Sequence, residues 1–166
     1  FYGPRVTPAR EVVGPWGSLF SRLAERPVRL VFADEPNGGC DEYPLTVLGG
    51  ASVDELAERS ALPSVDARRF RMSIEFGGAT PHAEDTWDGQ DFRVGSTVVR
   101  MRGPVPRCAA TTRNPDHGDA DLKTLHLIRR YRHATTTEPG QAIHFGVYAD
   151  VVTPGGIRTG DAIQPV

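Results

Sequence analysis

Apolar residues recur along this chain at two different periods, and the changes of period mark the elements the sequence predicts. Between residues 15 and 25, Trp16, Leu19, Phe20 and Leu23 fall at helical spacing, and Pro15 suits a helix's first turn. Residues 28–33 are apolar except for Arg29 and read as a strand, closed by the turn-rich stretch 34–41. A short strand at 44–48 follows. Ser52, with Glu55 three residues on, forms a capping-box pattern that opens a helix running to about Arg59. Residues 69–76 alternate, with Phe70, Met72, Ile74 and Phe76 on one face and Arg69, Arg71, Ser73 and Glu75 on the other. Residues 92–94 lead through Gly95-Ser96 into 97–102 as a hairpin, and a strand-like segment at 105–112 carries Cys108. Leu122, Leu125 and Ile128 mark a helix of about three turns reaching toward Arg132. The longest predicted strand is 143–152, turned back by Gly155-Gly156 into Ile157 and Arg158. Many short strands, frequent turns and few helices predict a mainly β, α+β domain: a barrel with a few peripheral helices.

The chain has 166 residues, enough for one hydrophobic core, so a single domain is expected over 1–166. Within it, residues 1–27 read as a lead-in segment and helix and 28–166 as the core barrel. No apolar run approaches the roughly 20 residues of a membrane span, and no charged-then-apolar leader opens the chain. A net charge of −2 argues against a nucleic-acid binder, which carries a basic face. Neither a nucleic-acid nor a membrane partner is expected. Lys123 is the sole lysine, which leaves one position for a Schiff-base cofactor and makes pyridoxal phosphate unexpected. Gly38-Gly39 and Gly49-Gly50 match no dinucleotide or phosphate-loop fingerprint, so NAD is not expected, and no haem, flavin or iron–sulfur motif is present. Two distant cysteines, Cys40 and Cys108, in a chain of this size fit reduced thiols and a cytoplasmic setting.

Cys108 is the centre of the chemistry. Pro104 and Pro106 fix φ and stiffen the approach to it, and Arg107 places a permanent positive charge beside the thiol. Cationic neighbours favour the thiolate, the form that attacks electrophiles or ligates soft metals. The plain alternative is a buried cysteine acting as a small hydrophobe. The arginines at 68, 69 and 71 are either contacts to an anion or a solvated face. Tyr148, on the longest strand, either lines a pocket or packs in the core.

Four segments, in order, resemble the MOSC domain family, named for the C-terminal domain of molybdenum cofactor sulfurases. They are Val65-Asp-Ala-Arg-Arg-Phe-Arg71; Glu84-Asp-Thr-Trp-Asp-Gly89 with Phe92-Arg-Val-Gly95; Pro106-Arg-Cys108 with Asn114-Pro-Asp-His-Gly118; and Phe145-Gly-Val-Tyr-Ala149 ending in Gly160-Asp161. The resemblance implies a MOSC-type β-barrel that binds the molybdenum cofactor, Mo-molybdopterin. It implies Cys108 as the molybdenum ligand and catalytic residue, with Arg71, Ser73, Arg107 and Tyr148 as further cofactor contacts. The implied activity, by likeness to the amidoxime-reducing branch, is reduction of N-hydroxylated or N-oxide substrates with electrons from a partner redox protein. The alternative is a non-enzymatic sulfur carrier. Cys108 would then hold a persulfide or sulfurated cofactor, loaded by a cysteine desulfurase and passed to a partner enzyme. Family members of this kind carry a β-rich segment upstream, so the chain is expected to be a fragment lacking it.

The sequence departs from the reductase-like pattern in places. Met72-Ser73 stands where those members have Pro-Asn, Leu48-Gly49 replaces a small polar pair, and Pro106 replaces a hydroxyl residue. A proline cannot donate to a phosphate as a serine can, whereas Ser73 can stand in for part of the lost Asn. Outside the resemblance, Glu84, Asp85 and Asp88 with His82 suggest either a divalent-metal cluster or a structural turn around Trp87. Asp116 is a candidate general acid, and His126 and His133 share a helical face without a third ligand.

Overall fold

A computed structural model of the chain describes residues 6–34, 42–132 and 142–166. The chain divides into two compact units, Phe1–Glu42 and Tyr43–Val166.

In the first unit, β1 (Ala9–Glu11) pairs antiparallel with β2 (Val31–Ala33), and α1 (Trp16–Ala24) lies between them in sequence. Pro15 caps α1, as its spacing predicts, and Glu25 ends it in a left-handed conformation. β1 lies in a stretch without sequence periodicity. The strand expected to open the barrel at residue 28 is Val31–Ala33, and its ladder partner is β1 rather than the main sheet.

The second unit is built on a curled six-stranded sheet, in the order β4-β3-β7-β6-β5-β8. Its strands are β3 (Leu45–Gly49), β4 (Ile74–Phe76), β5 (Asp91–Val94), β6 (Thr97–Arg107), β7 (Ile143–Thr153) and β8 (Ile163–Pro165). Only β3 and β4 pair in parallel, joined by a crossover containing α2 (Gly50–Arg59). α3 (Thr124–Tyr131) precedes β7. Among the described residues no ladder joins edge strands β4 and β8. The expected β-rich α+β architecture is therefore a half-barrel rather than a closed barrel. No helix of the described residues is long and apolar enough to cross a membrane.

Two apolar clusters hold this unit. Val47, Phe76, Phe92, Val94, Val99, Met101, Val147 and Ala149 form one. Leu48, Val53, Leu56, Phe70, Ile128 and Phe145 form the other, drawing on α2 and α3. Strand alternation sends Val47 and Leu48 to different clusters, as a pleated strand should. β7 breaks that rule: Phe145 and Val147, two residues apart, also serve different clusters. Gly146 causes the switch. Its φ is +77°, and a Cβ there would lie 2.7 Å from Met72 Cε and 2.8 Å from the Val47 carbonyl oxygen. The opposing strand shifts register in the same stretch, between Met101 and Pro104 and between Pro104 and Pro106.

The prolines explain a second departure. The hairpin of β5 and β6 forms as predicted, but β6 continues to Arg107 as one strand of 11 residues. β5 pairs with it only over Thr97–Arg100. Met101 still exchanges backbone bonds with Gly89 and Gln90, and beyond it the ladder of β6 is with β7, where prolines without N–H are tolerated. The predicted strand over 69–76 also fails as a unit. Residues Ala67–Phe70 form a 3-10 turn, Arg71 takes φ +51°, and only Ile74–Phe76 is strand. The four apolar residues that seemed to share one face divide: Phe70 and Met72 join the helix-side cluster, Ile74 and Phe76 the other. Ser52 likewise sits inside α2, with Gly49 at the cap. Its hydroxyl donates to Glu84 Oε1 at 2.8 Å rather than closing a capping box.

Candidate functional site

β6 delivers Cys108 to the surface. The cysteine is the first residue past the strand, and its carbonyl accepts from the N–H and the Oγ1 hydroxyl of Thr111, starting a 3-10 turn at Ala109–Thr112. The thiol is free and exposed, which overturns the buried-hydrophobe alternative. Pairing with Cys40 lies outside the described residues.

Arg107 turns the other way. Its Nε donates to the Phe145 carbonyl at 2.8 Å and Nη1 to the Phe70 carbonyl at 2.9 Å, with the Met72 sulfur also in contact. The guanidinium lies over the Phe70 ring at 5.4 Å. Burial pushes its pKa down to about 10, so it remains cationic at neutral pH, and its charge still interacts with Cys108. One side chain thus ties the end of β6 to the bulge at Gly146 and to the residue before Arg71.

Arg69 is the second structural arginine. It is buried, forms a bidentate ion pair with Asp121 at 2.6 and 2.8 Å, and donates to the Arg113 carbonyl at 2.9 Å. Those bonds, with one from Asn114 Nδ2, hold the Asp121 carboxyl far below the usual carboxylate range. Arg68 is exposed and held by Asp66 and by Asp116, the latter at 2.9 Å. Asp66 also caps the 3-10 turn by accepting from the Arg68 N–H at 2.9 Å.

Between these anchors lies a cleft of about 400 Å³, lined by Arg68, Arg69, Arg71, Ala110, Arg113 and Asn114 among others. Arg71 projects from a left-handed backbone position that only a minority of non-glycine residues adopt. Its guanidinium has no hydrogen-bond or ion-pair partner among the described residues. Arg113 has one weak contact, to the Gly118 carbonyl at 3.3 Å. Cys108 stands two residues before Ala110 of the lining and is not itself part of it.

The other predicted contacts lie elsewhere. Ser73 accepts from the Thr46 N–H at 3.2 Å and lines a separate cavity of about 710 Å³ with Leu45, Ile74, Glu75, Arg158 and Asp161. Tyr148 is buried in β7, its ring 5.5 Å from that of Tyr43. Asp116 is spent on Arg68. His126 is exposed on α3, and His133 lies outside the described residues. The carboxylates around Trp87 serve structure. Glu84 is fully buried beneath the start of α2, taking bonds from Ser52 Oγ and the Gly49 N–H. Asp85 pairs with Arg132, which also donates to His82 Nδ1 at 2.6 Å. Among the described residues no group of three or more His, Cys, Asp or Glu side chains could hold a bare metal ion. Sequence reasoning missed Arg113. Its only signal was a lone charged residue wedged between the cysteine's turn and the Asn114-Pro115 turn.

The profile of the MOSC domain matches residues 34–164. This chain belongs to the MOSC domain family. It is 32% identical over 129 residues to mitochondrial amidoxime reducing component 2 of Homo sapiens, covering 74% of this chain and 37% of that protein. It is 33% identical over 130 residues to mitochondrial amidoxime-reducing component 1 of Xenopus laevis, covering 76% of this chain and 37% of the relative. This MOSC chain therefore spans little more than a third of the length of the curated relatives it matches. Its fold resembles that of YiiM from Geobacillus stearothermophilus, with a TM-score of 0.53 at 15% identity over 97% of this chain and 71% of that one. The YUAD protein of Bacillus subtilis gives 0.50 at 12% identity, over 93% and 73%.

Proposed function

We propose that this MOSC domain binds the molybdenum cofactor, with the Cys108 thiolate as the protein's ligand to the metal, and that the loaded protein reduces N-hydroxylated or N-oxide substrates. The observation that carries the reading is the exposed, unpaired thiol of Cys108 on a pinned backbone, one short turn from an arginine-lined cleft. A bare ion needs several protein donors. A metal that arrives with its own anionic organic ligand needs one soft donor and cationic contacts, which this donor set supplies. When bound, the cofactor supplies two-electron oxygen-atom chemistry, with electrons from a partner redox protein.

The chain's own residues do the rest. The Cys108 carbonyl, fixed by Thr111, holds the thiol at the strand end, and Pro104 and Pro106 limit its movement. Arg107 acts as a positioning residue: its donors clamp the Phe145 and Phe70 carbonyls and so fix the strand end that carries Cys108. Arg71 neutralises the cofactor's negative charge from the cleft.

Elemental analysis tests this. Protein from a cofactor-producing host should hold near-stoichiometric molybdenum, and Cys108→Ser should lose most of it. Absence of metal from both proteins overturns the reading. Sulfane sulfur on Cys108 in its place would establish the sulfur-carrier alternative.

A further inference from the structure

Cys108 sits between two peptide groups that different parts of the fold hold in place. On its N-terminal side, Arg107 stands in the β6–β7 ladder opposite Ile143, and its guanidinium is bonded to the Phe145 and Phe70 carbonyls. On its C-terminal side, the Cys108 carbonyl accepts from the N–H and the hydroxyl of Thr111, at 3.2 and 3.0 Å. That second hold belongs to a 3-10 turn of four residues, Ala109–Thr112. The hydrogen bonds of such short turns are poorly aligned, so bonds from outside the turn decide how firmly it stands.

Those bonds come from the start of α3. The Asp121 and Leu122 N–H groups donate to the Thr112 carbonyl at 3.2 and 3.4 Å, and the Thr124 hydroxyl donates to the Thr111 carbonyl at 2.8 Å. The bond from Thr124 is the shortest of the three and comes from a side chain. Both its partners are closed to water, Thr124 being 0% exposed and Thr111 4%. A carbonyl that loses its donor there has no water to replace it. Thr124 is also a firm reference point, because Ile128, one turn along α3, is fully buried in the cluster of Phe70 and Phe145. Those two aromatic residues carry the carbonyls that Arg107 clamps. Both peptide groups beside Cys108 are thus tied to one apolar cluster, the first through Arg107 and the second through Thr111 and Thr124.

We propose that Thr124 is a positioning residue for the Cys108 sulfur, acting through Thr111. With both flanking peptides fixed, the thiol keeps rotation about its own Cα–Cβ bond and little else. A ligand then meets a donor whose backbone freedom was already lost on folding. Without the Thr124 hydroxyl the turn opens locally, Thr111 leaves the Cys108 carbonyl, and the sulfur samples a wider arc. The inference deepens the cofactor reading and rests on it for what the sulfur meets; the placing of the sulfur rests on the bonds alone.

A nitroxide attached to Cys108 of cofactor-free protein, with Cys40 replaced by Ala, reports this motion in its electron paramagnetic resonance spectrum. Thr124→Val keeps the shape and removes the donor. It should raise local opening of the turn about tenfold, the equivalent of one hydrogen bond, and give a spectrum of faster motion. Thr124→Ser keeps a hydroxyl and should retain the wild-type spectrum. Ile128→Val weakens the same helix without touching the relay, so its spectrum should match wild type although its unfolding midpoint falls. In molybdenum-loaded protein with both native cysteines, Thr124→Val should keep several-fold less metal through gel filtration than wild type, and Thr124→Ser as much. A wild-type spectrum in Thr124→Val overturns the proposal, and so does equal loosening in Ile128→Val, which would make the effect one of overall stability. Metal kept at the wild-type level by a loosened Thr124→Val overturns the benefit to binding. If wild type itself holds no molybdenum, the cofactor reading falls and the nitroxide spectra alone decide the role of Thr124.

Discussion

Replacing Arg107 with Met separates the two roles open to an arginine beside a ligand cysteine. A cofactor contact leaves the fold intact when removed, whereas an internal tie does not. Its guanidinium serves the Phe145 and Phe70 carbonyls. Depriving a part-buried carbonyl of its donor costs about 1–3 kcal/mol. Two such carbonyls, less the relief of no longer desolvating a charge, give a loss of about 2–5 kcal/mol. For a chain of this length that is a fall in Tm of roughly 6–15 °C. Arg107→Lys keeps the charge but lacks the planar fork, so it should fall about half as far. Thermal and urea unfolding of the cofactor-free protein are the assays. If Arg107→Met unfolds within about 2 °C of wild type while its molybdenum content drops, Arg107 is a cofactor contact and the anchoring argument fails.

Two further predictions concern the buried cluster under α2 and α3. Glu84→Ala should cost about 3–5 kcal/mol, because Ser52 Oγ and the Gly49 N–H lose their acceptor and a cavity remains. Glu84→Gln keeps an acceptor and should cost about 1 kcal/mol, so equal losses in urea unfolding would show that the bonds contribute nothing. Stability should also fall in mild acid. Burial, and then the charge of Arg132, lower the pKa values of His82 and His144. A histidine with a depressed folded pKa contributes stability that is complete above its unfolded value of 6.5 and is lost as pH falls through the folded value. The ion-paired carboxylates Asp66, Asp91 and Asp121, lowered from 3.8, weaken the fold only at more acidic pH. A decline in Tm between pH 7 and 5 that flattens in His82→Asn is expected; Asn tolerates the left-handed backbone at that position. An unchanged slope in the variant would remove His82 from the account.

Much of the fold was legible because local patterns decided it. α1, the β5–β6 hairpin and β7 stand close to where periodicity and turn residues put them. The failures occur where a specific hydrogen bond or backbone turn overrides the periodic pattern. Residues 69–76 alternate in hydrophobicity, yet Asp66 winds the first of them into a 3-10 turn and Arg71 reverses the backbone. The Ser52 capping box is satisfied on paper, but Glu84, 32 positions away, takes the hydroxyl. β8 is only three residues long and carried no pattern to read; its pairing with β5 gives it order.

The site divides in the same way. Cys108 was readable because stiffening prolines and a neighbouring charge are local facts, and the strand end does present the thiol to solvent. The arginines were not readable, because an arginine's fate depends on which acceptors the fold brings to it. Arg69 and Arg71 were assigned to one face by alternation; Asp121, 52 residues on, claims the first, and the second remains uncommitted. Arg107 looked like a charge aimed at the cofactor until the bulge at Gly146 turned the Phe145 carbonyl toward it. Among the described residues the cleft's charges without an ion-pair partner are those of Arg71 and of Arg113, whose Nη1 reaches the Gly118 carbonyl at 3.3 Å. Arg113 owes its place to Arg69, which grips its carbonyl. Removing Asp121 should accordingly disturb anion binding although Asp121 does not line the cleft, because it orients the residue that holds Arg113.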